Sequence, residues 1–152
     1  MDRYTVKQLI DACFMAKRIT ETMPELPKGL KPRHIHVVDC IVEIKKIKGV
    51  VCVSDVSSTL KITTPSVTKL INELEKNKII NKHNEHEDKR VVSLSLTNLG
   101  EEYYRFFVVD YHSKLADKIK HLDDNQCKIT IDTIEEIYEA IKSIEKEGLL
   151  NE

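Results

Sequence analysis

Lys82, Lys89 and Arg90 cluster around a wholly polar run, His83 to Lys89, and the residues that follow alternate Val92, Leu94 and Leu96 with Ser93 and Ser95. That alternation is the period-2 pattern of a half-buried strand, so the polar run predicts a solvated hairpin tip. The strand leads into Thr97, Glu101 and Glu102, a helix start with acid in its first turn. A short hairpin with a basic tip, held between two helices, is suited to pairing with nucleic-acid phosphates. Residues 53–77, just upstream, have the layout of a helix–turn–helix, and the two parts together predict one winged DNA-binding unit.

Other chemistry has weaker support. Cys13, Cys40, Cys52 and Cys127 include no CxxC pair, and the spacing fits neither a zinc ribbon nor a redox dithiol. His34, His36, His83, His86, His112 and His121 form no HxxxH pair, so no metal site is expected. A Gly-rich phosphate loop, GxSxG, HExxH and a carboxylate dyad in recognisable context are all missing. No enzyme and no cofactor is expected.

The elements that must position the basic tip are mostly helices. A chain of 152 residues predicts one domain, and four glycines and four prolines are too few for the turns of an all-β fold. Hydrophobic residues make up 41% and charged residues 32%, the balance of a folded, highly soluble protein. The N-terminus, MDRYTVKQ, is polar and no long apolar run follows, which predicts a cytoplasmic protein with reduced thiols and no membrane partner. The formal charge is −1, but residues 123–152 hold nine acids against three lysines, which leaves +5 on residues 1–122. Segregation of this kind permits a basic face on a nearly neutral molecule.

Val6, Leu9, Ile10, Cys13, Phe14 and Ile19 predict a first helix over about 4–22. Pro32 opens a second, with Ile35, Val38, Ile41 and Val42 as its apolar face, and Gly49 closes it. A short third helix runs from Cys52 to Leu60, and 61–63 form a turn. Thr64 is expected to cap a fourth helix with Pro65 at its first position and Val67, Leu70, Ile71 and Leu74 inward. The wing takes 79–96. A long helix from 98 to about 120 should turn Leu99, Tyr103, Phe106, Phe107 and Tyr111 inward, and a last helix begins after Asp123 or Asp124. The expectation is a mainly α fold with a minor β part: a single domain over 1–152, a winged lobe over about 32–97, and dimerisation helices over about 4–22 and 98–148. The amphipathic terminal helices have little left in one chain to pack on, which predicts a homodimer.

This layout, with Asp88 and Arg90 followed by Leu96, Thr97 and Gly100, resembles the MarR family of bacterial transcription regulators. The run VSDVSSTLKITTPSVTKLINELEKNKII resembles that family's helix–turn–helix, although Lys78 stands where the family usually has glycine, and Asn77 is expected to take the left-handed turn instead. The resemblance implies a homodimer that binds a pseudo-palindromic stretch of double-stranded DNA, usually as a repressor released by a small-molecule effector or by oxidation. It implies a recognition helix that offers Thr64, Pro65, Ser66, Thr68, Lys69, Asn72 and Glu73 to the major groove, with Lys82, Asp88, Lys89 and Arg90 in the wing. The physics agrees, because a helix N-terminus presents free N–H groups to phosphate and Lys69 can donate to guanine edges. Asp88 is expected to pair with Arg90 and shape the tip, since an acid facing DNA is repelled.

Three alternatives concern the signal. Cys13-Phe14 on the first helix resembles the reactive cysteine of the family's organic-hydroperoxide sensors, which makes Cys13 a candidate sensor. Those sensors surround the thiol with tyrosines from the second helix, where this chain has Arg33, His34 and His36, and a thiol on an apolar face is ordinarily a small buried hydrophobe. The family also includes zinc sensors. His36, Asp39 and His112 resemble the branch that responds to acylated carrier protein, while His36 also reads as a satisfied core or interface histidine.

Overall fold

The computed structural model describes residues 1–84 and 92–146. Helices α1 (Arg3–Glu21), α2 (Pro32–Lys48), α3 (Val53–Leu60) and α4 (Thr64–Lys76) precede an antiparallel hairpin of β1 (Ile80–Asn84) and β2 (Val92–Leu96). Helix α5 (Asn98–Tyr104) then runs through a π-helical stretch, Arg105–Asp110, into α6 (Tyr111–Ile119), and α7 (Asp124–Lys146) ends the described chain. The hairpin pairs Ile80 with Leu96 and His83 with Ser93, so His83 and Asn84 belong to the strand, not to the tip. The predicted tip residues Asp88, Lys89 and Arg90 lie outside the described residues.

The chain divides into two compact units, Met1–Lys17 with 114–152, and Arg18–Ser113. Within the second, the core joins Val37, Val38, Ile41 and Ile44 of α2 to Val56 of α3, to Val67, Leu70, Ile71 and Leu74 of α4, and to Ile79, Ile80 and Leu94 of the wing. Each fully buried side chain of this size contributes roughly 1.5–3 kcal/mol relative to exposure. Ile35, Phe107 and Val108 form a smaller core beside it.

Four local expectations need correction. The N-cap of α4 is Thr63, whose Oγ1 accepts from Ser66 N, so Thr64 and Pro65 are already helical. Proline is tolerated there because the first-turn N–H groups have no partner inside the helix. At the other end Asn77 stays at φ −84 and Lys78 itself takes the left-handed conformation at φ 58. The helix closes as a Schellman turn, with Lys78 N donating to Glu75 O at 2.9 Å and Ile79 N to Leu74 O at 3.0 Å. Leu74 and Ile79 are both in the core, so burying that pair outweighs a lysine's dislike of positive φ. The third correction is in the long helix, where Phe106 is 52% exposed and Val108 is buried beside Phe107. The wider π turns rotate the α-helical face by about one residue. The fourth is a missed strand pairing, since Leu94 N donates to Val51 O at 2.8 Å and Cys52 bridges Ser93. This third backbone segment covers Ser93, which is why a nominally outward serine is buried.

Gly100 sits where α5 meets the end of α4. A Cβ there would lie 2.2 Å from the Ile79 carbonyl oxygen. Gly100→Ala should destabilise the protein by about 1–3 kcal/mol, the range for forced overpacking, measured by denaturant unfolding. Lys78→Gly should raise the melting temperature, because removing a left-handed penalty of about 1–2 kcal/mol outweighs the roughly 0.4–1 kcal/mol of added unfolded-state freedom.

Candidate nucleic-acid interface

Helix α4 is mounted on the core by Val67, Leu70, Ile71 and Leu74, which leaves Thr64, Pro65, Thr68, Lys69, Asn72 and Lys76 exposed on the opposite side. Thr64, Thr68, Lys69 and Asn72 line one shallow open groove along the helix, and neither α2 nor α4 has an acid in its first turn. The hydroxyls are not idle: Thr68 donates to Thr64 O at 2.8 Å, Ser66 lies 2.9 Å from Thr63 Oγ1, and Thr64 lies 3.3 Å from Ser57 Oγ. Each keeps an oxygen able to accept from a ligand. Among the described residues, the Lys69 ammonium forms no hydrogen bond or ion pair.

Two of the predicted reading residues have partners inside the protein. Asn72 Oδ1 accepts from Lys82 Nζ at 2.5 Å, and the same ammonium is 2.7 Å from Glu75 Oε2. Lys82 therefore clips the wing's first strand to α4. Glu73 Oε2 lies 2.7 Å from Nε2 of His34, a residue 1% exposed. His34 Nδ1 accepts the Lys31 backbone N–H at 2.8 Å. An amide N–H can only donate, so Nδ1 carries no proton and the neutral ring donates through Nε2–H to the carboxylate. That bond is the first cause holding the Glu73 carboxyl below its ordinary 4.5, with Lys69 and Lys31 adding to it.

His34 is the link between α2 and α4 that sequence reasoning missed. The signal for it is Lys31-Pro32-Arg33-His34, where histidine stands at the third helical position and reaches back to the N-cap as glutamate does in a capping box. The buried histidine of α2 is thus His34, whereas His36 is exposed. His36, Asp39 and His112 are brought together around one cavity of about 60 Å³, far below the roughly 300–1,000 Å³ of ordinary ligand pockets. Burial, then Glu43, pushes the Asp39 carboxyl up. Among the described residues no three His, Cys, Asp or Glu side chains are grouped to hold a metal ion, and no helix is long and apolar enough to cross a membrane. All four cysteines are free; Cys13, Cys52 and Cys127 are half-buried, and burial pushes the Cys40 thiol up.

No protein-family model matches the sequence, and no curated protein matches it either. Solved structures do match over nearly the whole chain. Streptococcus pneumoniae FabT in complex with DNA has a TM-score of 0.67 at 22% identity, covering 94% of this chain and 99% of that one. The S. aureus MepR–DNA complex has a TM-score of 0.64 at 15% identity, over 93% and 99%. A zinc-responsive MarR family member, Lactococcus lactis ZitR, has a TM-score of 0.60 at 18% identity, over 91% and 98%. At these identities the likeness is one of fold. The chain has the winged-helix fold of the MarR-type proteins.

Glu73→Ala should leave the buried His34 N–H without its protein acceptor and lower stability, with Glu73→Gln, which keeps an acceptor, losing less. Because the folded carboxyl is held low, the ionised contribution is present above pH 4.5 and fades as pH falls through the lowered value. Denaturant unfolding of wild type and Glu73→Gln across pH should show the gap between them close on acidification.

Proposed function

We propose that this chain is a cytoplasmic, non-catalytic transcriptional regulator that binds double-stranded DNA as a homodimer. It acts as a repressor on a pseudo-palindromic operator and is released by a small-molecule effector. The observation that carries this reading is the polar face of α4, with Thr64, Thr68 and an unpaired Lys69 exposed on a helix whose other side is anchored in the core. An α-helix with its side chains, about 10–12 Å across, fits a DNA major groove about 12 Å wide. Ser66 and Pro65 lie at its N-terminal end, beside the phosphates. Asn72 and Glu73 meet the duplex only at the margin, because Lys82 and His34 hold them. Asp88, Lys89 and Arg90 complete the proposed DNA-binding set, with Lys89 and Arg90 supplying positive charge for the minor groove.

The dimer is supported by the apolar surface of the terminal helices, which form the subunit interface in this proposal. Phe14 on α1 is 67% exposed, and Ile131, Ile134 and Ile141 on α7 are 57%, 44% and 42% exposed. A stripe of isoleucines at helical spacing stays out of water only against another apolar surface, and a second copy supplies one. The signal reaches the DNA-binding lobe through a small effector, with the Cys13 thiol as the oxidative alternative.

Genomic fragments selected by the protein should share an inverted repeat with half-site centres about one helical turn apart. In anisotropy titrations Lys69→Ala should weaken binding to the selected site more than to scrambled duplex, whereas Arg90→Ala should weaken both and lower the salt slope by about 1. Wild-type affinity that ignores salt, or full-strength binding by Arg90→Ala, contradicts the proposal.

A further inference from the structure

Beside the groove of α4 lies a second, more enclosed cleft. It is lined by Lys31 and Arg33 at the start of α2, by Ile62 before α4, and by Lys69, Leu70 and Glu73 of α4. Lys69 and Glu73 line both, so the cleft continues the recognition face toward α2. Three cations face one carboxylate there. That carboxylate is already bound to His34, and among the described residues the Lys31, Arg33 and Lys69 side chains form no hydrogen bond or ion pair. Other surface lysines do find acids, Lys48 with Asp55 and Lys46 with Glu43 at 2.5 Å each, and Lys82 with Glu75 at 2.7 Å. Lys69 and Lys31 help hold that carboxylate ionised, yet three cations against one acid leave the cleft an excess of positive charge that favours an anion.

We propose that Lys31 and Arg33 bind a backbone phosphate of the duplex whose major groove α4 enters, so that the DNA footprint extends from α4 onto the N-terminal turn of α2. The inference rests on the DNA-binding reading above and deepens it. The planar Arg33 guanidinium suits two phosphate oxygens at once, and Lys31 adds a point charge. Glu73, held back by His34, keeps the ligand from sliding deeper and makes the interaction one of charge and not of base identity. His34 is the positioning residue, because it joins the turn that carries Lys31 and Arg33 to the helix that carries Lys69.

The test uses the full chain with Lys31→Ala, Arg33→Ala and the double variant. Affinity is measured against the selected operator and a scrambled duplex across a salt series. The substitutions keep the Lys31 backbone N–H that His34 accepts, so melting temperature should be unchanged. The double variant should lose affinity for both duplexes by the same factor, on the order of tenfold, and its salt slope should fall by about 0.9 for each phosphate left unneutralised. Arg33→Lys should recover part of the loss. In a second arm, inorganic phosphate at matched ionic strength should compete no better than chloride. An unchanged slope in the double variant, with wild type still binding its operator, overturns the inference and leaves the regulator reading intact. A changed specificity ratio overturns it by assigning the pair to base recognition. Phosphate competition that the double variant abolishes overturns it in favour of a free anion. Wild type that binds no duplex overturns both readings.

Discussion

The start of α5 is pressed against the carbonyl that ends the α4 turn, and the winged lobe is organised around that junction. Thr97 Oγ1 lies 2.6 Å from Lys78 O and 3.1 Å from Ile79 O, accepts from Gly100 N at 3.1 Å, and Thr97 N donates to Ile79 O at 3.0 Å. One threonine caps α5, ties off the turn after α4 and fixes the end of β2. The approach is possible only because Gly100 has no Cβ, since any other residue would place a carbon against the Ile79 oxygen. Helix α4, the wing and the long helix thus meet at one joint.

The polar surface is divided in a similar way. Lys82 is committed to Asn72 and Glu75, and Glu73 to His34, so these charges set the posture of α4. What remains outward is a narrow strip of threonines with Lys69 and, beyond it, the cations at the start of α2. Partition of this kind separates two tasks that charged side chains otherwise confuse. Side chains paired inside the protein hold geometry, and unpaired ones are left for a ligand whose charge they match.

The terminal helices pose a different physical problem. Their polar faces are ordinary, but their apolar stripes are exposed in a single chain. Under the proposed function a second copy covers the stripes, and the spacing between the two α4 helices becomes a property of the pair.

Much of this was legible in the chain because its determinants are local. Helical periodicity located every helix to within a residue or two, the Val92–Leu96 alternation found β2, and the scarcity of glycine and proline predicted the helical class. The resemblance to MarR proteins rested on Asp88, Arg90, Leu96, Thr97 and Gly100 with the helix–turn–helix run before them, and the close approach of Gly100 to Ile79 supplies the reason a glycine belongs there. What failed was nonlocal. Lys78 takes positive φ because burial of Leu74 and Ile79 dictates the turn, and no propensity of Asn77 competes with that. Phe106 faces out because π turns shift the face, and Ser93 is buried because Val51 and Cys52 pair with a strand about forty residues away. Pattern along the chain determined which elements exist and which residue types could meet DNA. The tertiary structure alone decided which of those polar groups are spoken for, because a hydrogen bond between residues 34 and 73 depends on how two helices pack and leaves no periodic trace in either.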